Sequence, residues 1–142
     1  YLVPYFISGH LGSTLRDMVD LALYLKKQGS RPRQVQDFIP TPMSMATCMY
    51  YAEIDPFTRQ PVYTAKTMHE KRLQKALLFY WDPAHHDEAR EALLQAGRGD
   101  LIGTKPHCLV PPASGKGSLP RYMQRRSPPA KPKPRGSGNL RR

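Results

Sequence analysis

The sequence predicts an α/β fold: two parallel strands joined through a helix, followed by a small, mainly helical segment. Three observations lead there. A short apolar run over residues 2 to 7 ends in a Gly-containing turn, a helix pattern with signals at both ends follows, and a second run, Gln34 to Ile39, stops at Pro40-Thr41-Pro42. Strand, helix of about 15 residues and strand make a βαβ unit, and that crossover implies parallel strands. One such unit makes no domain by itself, so it is expected to be the end of a larger α/β sheet or barrel.

Each element has its own justification. Leu2-Val3-Pro4-Tyr5-Phe6-Ile7 is apolar, as a buried strand requires, although Pro4 removes a ladder donor. Ser8-Gly9-His10-Leu11-Gly12 lacks the spacing of a dinucleotide-binding glycine motif, and its glycines suit a tight strand-to-helix turn. Thr14 opens the helix with Asp17 three residues on, the capping-box arrangement. Leu15, Met18, Val19, Ala22 and Leu25 form its apolar face, and Gly29 after Lys26-Lys27-Gln28 stops it. Met43 to Ala65 is ambiguous. Its Met-rich start, Met43 to Tyr51, suits packing under a loop or the wall of a substrate pocket, since methionine fills irregular gaps. Thr67 with Glu70 opens another helix, with Leu73, Ala76, Leu77 and Tyr80 as its buried stripe. Asp82-Pro83 is a break and a fresh start. Ala89, Ala92, Leu93 and Ala96 line the last helix, Gly97 ends it, and the pair reads as a helical hairpin packed on a neighbour.

Composition narrows the partners. The 142 residues have room for one domain at most, and 39% hydrophobic content is below the usual range for a compact one. The net charge of +11 is concentrated: Ser114 to Arg142 carries nine Lys or Arg and no Asp or Glu. With Pro120, Pro128, Pro129, Pro132 and Pro134 in the same stretch, it is expected to be disordered with polyproline II character. It is either a solvated tail or a nonspecific tether for RNA or another anionic surface. No apolar run approaches the ~20 residues of a membrane span, and the start lacks a signal-peptide pattern, so a cytoplasmic location is expected. The first residue is Tyr, which reads as part of something longer. Cys48 and Cys108 make neither a disulfide scaffold nor a CxxC motif. His85 and His86 are adjacent, about 100° apart on a helix, so they form no metal pair by spacing. No metal ligand and no catalytic residue is assigned from the residues alone.

Four blocks carry a resemblance. Tyr5-Phe6-Ile7-Ser8-Gly9-His10-Leu11-Gly12-Ser13-Thr14 resembles the F-I-S-G-H-P-G-T/S-T run of YgiQ-like radical SAM proteins. Gln34-Val35-Gln36-Asp37-Phe38-Ile39-Pro40-Thr41-Pro42-Met43 resembles their V-Q-D-F-I-P-T-P-M run. Gln74 to Leu78, then Leu101-Ile102-Gly103 with Cys108 to Pro111, follow in the family's order, so the blocks span residues 1 to about 112. The resemblance implies that residues 1–43 are the end of a TIM-type radical SAM barrel, residues 44–112 the family's mainly helical extension, and residues 113–142 a disordered Pro/Lys/Arg-rich tail.

The same resemblance implies a function. The full-length protein would bind a 4Fe–4S cluster and cleave S-adenosylmethionine to start radical chemistry on a substrate the sequence does not identify. The family's Cys-x-x-x-Cys-x-x-Cys motif is absent here, so the cluster ligands are expected upstream and this chain alone is expected to be inactive. Barrel enzymes build their sites at the carboxyl ends of the strands. Ser8, Gly9 and His10 at one strand end and Phe38, Ile39 and Pro40 at the other are thereby the expected cofactor contacts, cradling adenine by backbone and apolar contact. His10 either reaches cofactor or substrate or stabilises the turn. The competing expectation is a basic-tailed RNA- or ribosome-binding, or purely structural, interaction module without catalysis.

Overall fold

A computed structural model of the chain describes residues 3–113; the tail expected over 114–142 lies outside the described residues. The fold is mixed α/β, mostly helical, with one parallel two-stranded sheet. Strand β1 is Phe6–Ser8, helix α1 Leu15–Lys27 and strand β2 Val35–Asp37. Helices α2 (Met45–Ala52), α3 (Met68–Leu78) and α4 (His86–Gln95) follow, with short 3-10 turns at Pro83–His85 and Gly99–Leu101.

The expected βαβ unit is present with parallel pairing, Phe6 opposite Val35 and Ser8 opposite Asp37. Its strands are shorter than the apolar runs. Three residues of each find a partner, and β1 begins past Pro4, which has no N–H for a ladder. Ser8 belongs to the strand rather than to the turn.

The helix ends follow local chemistry. In α1 the Thr14 side chain accepts from the Asp17 amide while the Asp17 carboxylate accepts from the Thr14 amide, satisfying two free donors of the first turn. Thr67 and Glu70 do the same for α3. Gly29, at φ +65, lets the chain leave α1, with the Ser30 amide donating to the Leu25 carbonyl at 2.9 Å.

One core joins the whole. Met18, Val19, Ala22 and Leu25 of α1 meet Leu73, Ala76, Leu77 and Leu78 of α3, and Ala89, Ala92 and Leu93 of α4, with Val35, Leu101, Leu109 and Val110 closing it. Helices α3 and α4 pack as the expected hairpin, and α1 packs on α3. Leu73, Leu77, Leu78 and Leu93 are fully buried; each contributes roughly 1.5–3 kcal/mol of transfer free energy. The start of the Met-rich stretch is not packed under a loop, with Met43 and Met45 exposed, and its alternative, a pocket wall, finds no cavity lined by this stretch among the described residues. The stretch forms α2, of which only Tyr50 is buried. No helix among the described residues is long and apolar enough to cross a membrane.

Candidate functional site

The carboxyl ends of β1 and β2 lie side by side. The Phe38 amide donates to the Ser8 carbonyl at 2.8 Å, extending the ladder one step past the paired register. Beyond that step the chains diverge as Gly9-His10 and Ile39-Pro40. All six residues expected at a cofactor site are therefore on neighbouring strand ends, but they differ in what they present. Ser8 is fully buried, and its hydroxyl donates to Asp37 Oδ1 at 2.7 Å, with the Gln36 carbonyl at 3.3 Å. It ties the two strands together instead of facing outward. Gly9 is buried at φ +66, a left-handed conformation that side chains disfavour. His10 is exposed, with its Nδ1 3.2 Å from the Leu11 carbonyl and its ring edge-on to Phe38 at 5.4 Å. Ile39 is 70% exposed, and Pro40 is half-buried.

Helix α3 supplies residues that local sequence patterns did not single out. Gln74 is completely buried. Its Oε1 accepts from the Gly9 amide at 2.8 Å and its Nε2 donates to the Ser13 carbonyl at 2.8 Å. One turn earlier, the Lys71 stem lies over Gly9, and its Nζ donates to the Tyr50 hydroxyl at 3.1 Å. Tyr50 in turn packs against Phe38, the ring centroids 5.6 Å apart and the planes tilted by 38°. Lys75 Nζ sits 3.2 Å from Asp37 Oδ2, so Asp37 holds both Ser8 and α3. Two signals fall on Gln74, its place at the start of the third resemblance block and its polarity inside the Leu73, Ala76, Leu77 stripe, and neither names its partners.

The rim offers a pairing of exposed apolar surface with ordered backbone. Ile39 and the His10–Phe38 edge pair give a flat ring something to lie on, while Gly9 is covered by the Lys71 stem and offers no open backbone. Those features fit the adenine end of S-adenosylmethionine. They do not extend to a cluster. Cys48 is exposed on α2, and Cys108 is buried with its Sγ against the Asp100 carbonyl at 3.7 Å. Two thiols cannot fill three cysteine positions. Among the described residues, no grouping of three His, Cys, Asp or Glu is arranged to hold a metal ion. His86 is turned inward, its Nε2 3.2 Å from the Tyr80 carbonyl, and burial pushes its pKa below the ordinary imidazole value, partly opposed by that contact. His85 stacks on Phe79 at 5.0 Å. A cavity of about 380 Å³ opens between Val3-Pro4-Tyr5 and Ser30 to Gln34, at the opposite ends of the strands from the rim.

Comparison with known proteins places these elements. The family model described as a domain of unknown function, DUF3362, matches residues 33–139, beyond the point near residue 112 where the four sequence blocks end. A UPF0313 protein of Methanosarcina acetivorans is 51% identical over 110 residues, 78% of this chain and 15% of the relative. A UPF0313 protein of Clostridium botulinum is 50% identical over 111 residues, 78% of this chain and 17% of that protein. One from Methanocella arvoryzae is 47% identical over 112 residues, 79% of this chain and 19% of that protein. The chain thus spans less than a fifth of the length of these curated relatives. No solved structure matches it. With the family model covering most of the chain and about half of the residues identical in the matched stretch, the chain belongs to the YgiQ-like family, UPF0313, and carries its DUF3362 region.

Proposed function

We propose that this chain is part of a cytoplasmic radical SAM enzyme. Residues 1–43 would complete its barrel, residues 44–112 would form a helical extension against the strand ends, and residues 113–142 a basic tail open to nonspecific contact with nucleic acid. The observation that carries the reading is the parallel pairing of Ser8 with Asp37 in a YgiQ-like chain. It brings Ser8-Gly9-His10 and Phe38-Ile39-Pro40 to one rim, where barrel enzymes hold their ligands. In this reading Ile39 and Phe38 provide apolar contact for adenine, His10 borders the ring edge, and Gly9, buried beneath Lys71, makes the turn that places His10 there. The cluster ligands would belong to the rest of the longer protein. S-adenosylmethionine, when bound and reduced there, would supply a 5′-deoxyadenosyl radical for hydrogen abstraction; this chain's residues orient and shield the cofactor.

The test uses a full-length family protein that carries this chain, reconstituted with iron and sulfide and supplied with reductant. It is expected to release 5′-deoxyadenosine from S-adenosylmethionine. Ile39→Asp, at a position exposed enough to leave the fold intact, is expected to weaken cofactor affinity about tenfold, the cost of ~1.4 kcal/mol of lost apolar contact. Absence of cleavage in the reconstituted protein refutes the enzymatic reading. It would favour the interaction module, whose mark is polyanion binding that falls steeply with salt.

A further inference from the structure

The strand-end loop is held from a distance. Its conformation rests on two backbone groups, the Gly9 amide and the Ser13 carbonyl, and both end on the side chain of Gln74 at 2.8 Å. Those residues are 65 and 61 positions away in sequence. A primary amide accepts at one end and donates at the other, so it can bridge an N–H and a C=O across a loop. Gln74 does this while completely buried, so no water competes for either bond. Lys71 lies over Gly9 from the same helix. The loop's other hydrogen bonds are the Ser13 amide to the His10 carbonyl at 3.1 Å and the Gly12 amide to the Tyr63 carbonyl at 2.8 Å. A left-handed Gly9 and a left-handed Gly12, at φ +76, leave the segment with little conformational preference of its own.

We propose that Gln74 is a positioning residue: it sets the Gly9–Ser13 loop from helix α3 and so fixes where the exposed His10 stands on the rim that meets the cofactor. Its second half rests on the functional reading above; the clamp itself does not. Gln74 touches no reacting atom. It acts by holding Gly9 under Lys71, which sets where the exposed His10 stands on the rim.

The experiment uses the full-length, reconstituted protein with Gln74→Met, which keeps length and volume but makes neither bond, and Gln74→Glu, which keeps the acceptor for Gly9 and loses the donor for Ser13. Three quantities are read: amide hydrogen exchange in peptides covering residues 6–15, the dissociation constant for S-adenosylmethionine, and iron content. Gln74→Met is expected to speed exchange in that segment at least tenfold. It should raise the dissociation constant about tenfold, with iron content unchanged. Gln74→Glu is expected to fall between Gln74→Met and the parent on both measures, and it serves as the test if Gln74→Met does not fold. Unchanged exchange overturns the clamp. Faster exchange with unchanged affinity overturns the assignment of the loop to the cofactor. If the parent protein itself binds no S-adenosylmethionine, the functional reading fails, and exchange alone decides the clamp.

Discussion

Replacing Gly9 separates two kinds of cost. The residue sits at φ +66, and a Cβ built there would lie 3.4 Å from Lys71 Cγ and 3.8 Å from its Cδ. Those are ordinary contacts with a flexible side chain, so the steric cost of a first carbon is small. The backbone cost is not: the left-handed region penalises an L residue by about 1–2 kcal/mol. Alanine recovers about 0.4–1 kcal/mol through the lower entropy of its unfolded chain, leaving Gly9→Ala near 1 kcal/mol destabilising. For the folded part, that is a fall of roughly 4–8 °C in Tm. Asparagine tolerates this region far better than alanine does, so Gly9→Asn is expected to cost less although its side chain is larger. Gly9→Val adds a β-branch in a conformation such residues rarely adopt and is expected to be the worst of the three. The assay is urea unfolding of the dilute 142-residue chain, followed by the fluorescence of Trp81, its single tryptophan. The expected order of stability is Gly, Asn, Ala, Val. An alanine variant more stable than the asparagine variant would show that crowding against Lys71, not backbone conformation, governs the site, and would refute the reasoning.

Three further outcomes follow from the geometry. Asp37→Ala leaves the buried Ser8 hydroxyl with only the 3.3 Å carbonyl contact and is expected to cost about 1–3 kcal/mol. Lys75→Ala removes a partly exposed ion pair, costing about 0.2–1 kcal/mol and fading in salt; urea midpoints that rank the two variants the other way would contradict this wiring. The folded-state pKa of His86 lies below its unfolded value because burial disfavours the charged ring. Its contribution is therefore intact above the unfolded imidazole value of about 6.5 and is lost as pH falls from there through the folded value. Urea midpoints between pH 7.5 and 5 should drop for the parent chain and drop less for His86→Gln; equal slopes would remove His86 from the acid response. Finally, Cys48 is exposed and Cys108 buried, so an aromatic disulfide reagent should titrate one thiol quickly in the native chain and the second only after urea is added; two fast thiols would be incompatible with the packing of Cys108.

What was legible in the sequence was local. Both capping boxes span three residues, and the apolar stripes of α1, α3 and α4 repeat within single helices, so pattern and structure coincide there. The strands were harder because a ladder needs a partner: the six-residue run Leu2 to Ile7 does not say that pairing starts at Phe6 and takes in Ser8 beyond it. Helix α2 escaped notice since Met45–Ala52 has no apolar stripe set against a polar face, and only Tyr50 is buried. At the rim, the six residues were placed correctly on adjacent strand ends, but their roles there were not readable. Ser8, named among the strand-end contacts, has its hydroxyl bonded to Asp37, and the residue that secures the loop, Gln74, has both partners more than sixty positions away. Periodicity reports which face of a helix is buried, not which backbone groups a buried amide will meet.

The reach of Gln74 also orders events during synthesis. A chain made from its amino end exposes β1, α1 and β2 well before α3 exists. At roughly 5–20 residues per second, the 65 positions between Gly9 and Gln74 correspond to several seconds of translation. Throughout that interval the Gly9 amide and the Ser13 carbonyl have water as their partner, and Asp37 has no Lys75. The rim is therefore among the last features of this segment to take shape, although its residues are among the first to be made. Anything that binds the finished rim meets it only after residues 67–78 have been added, so the nascent protein carries no half-built version of the site.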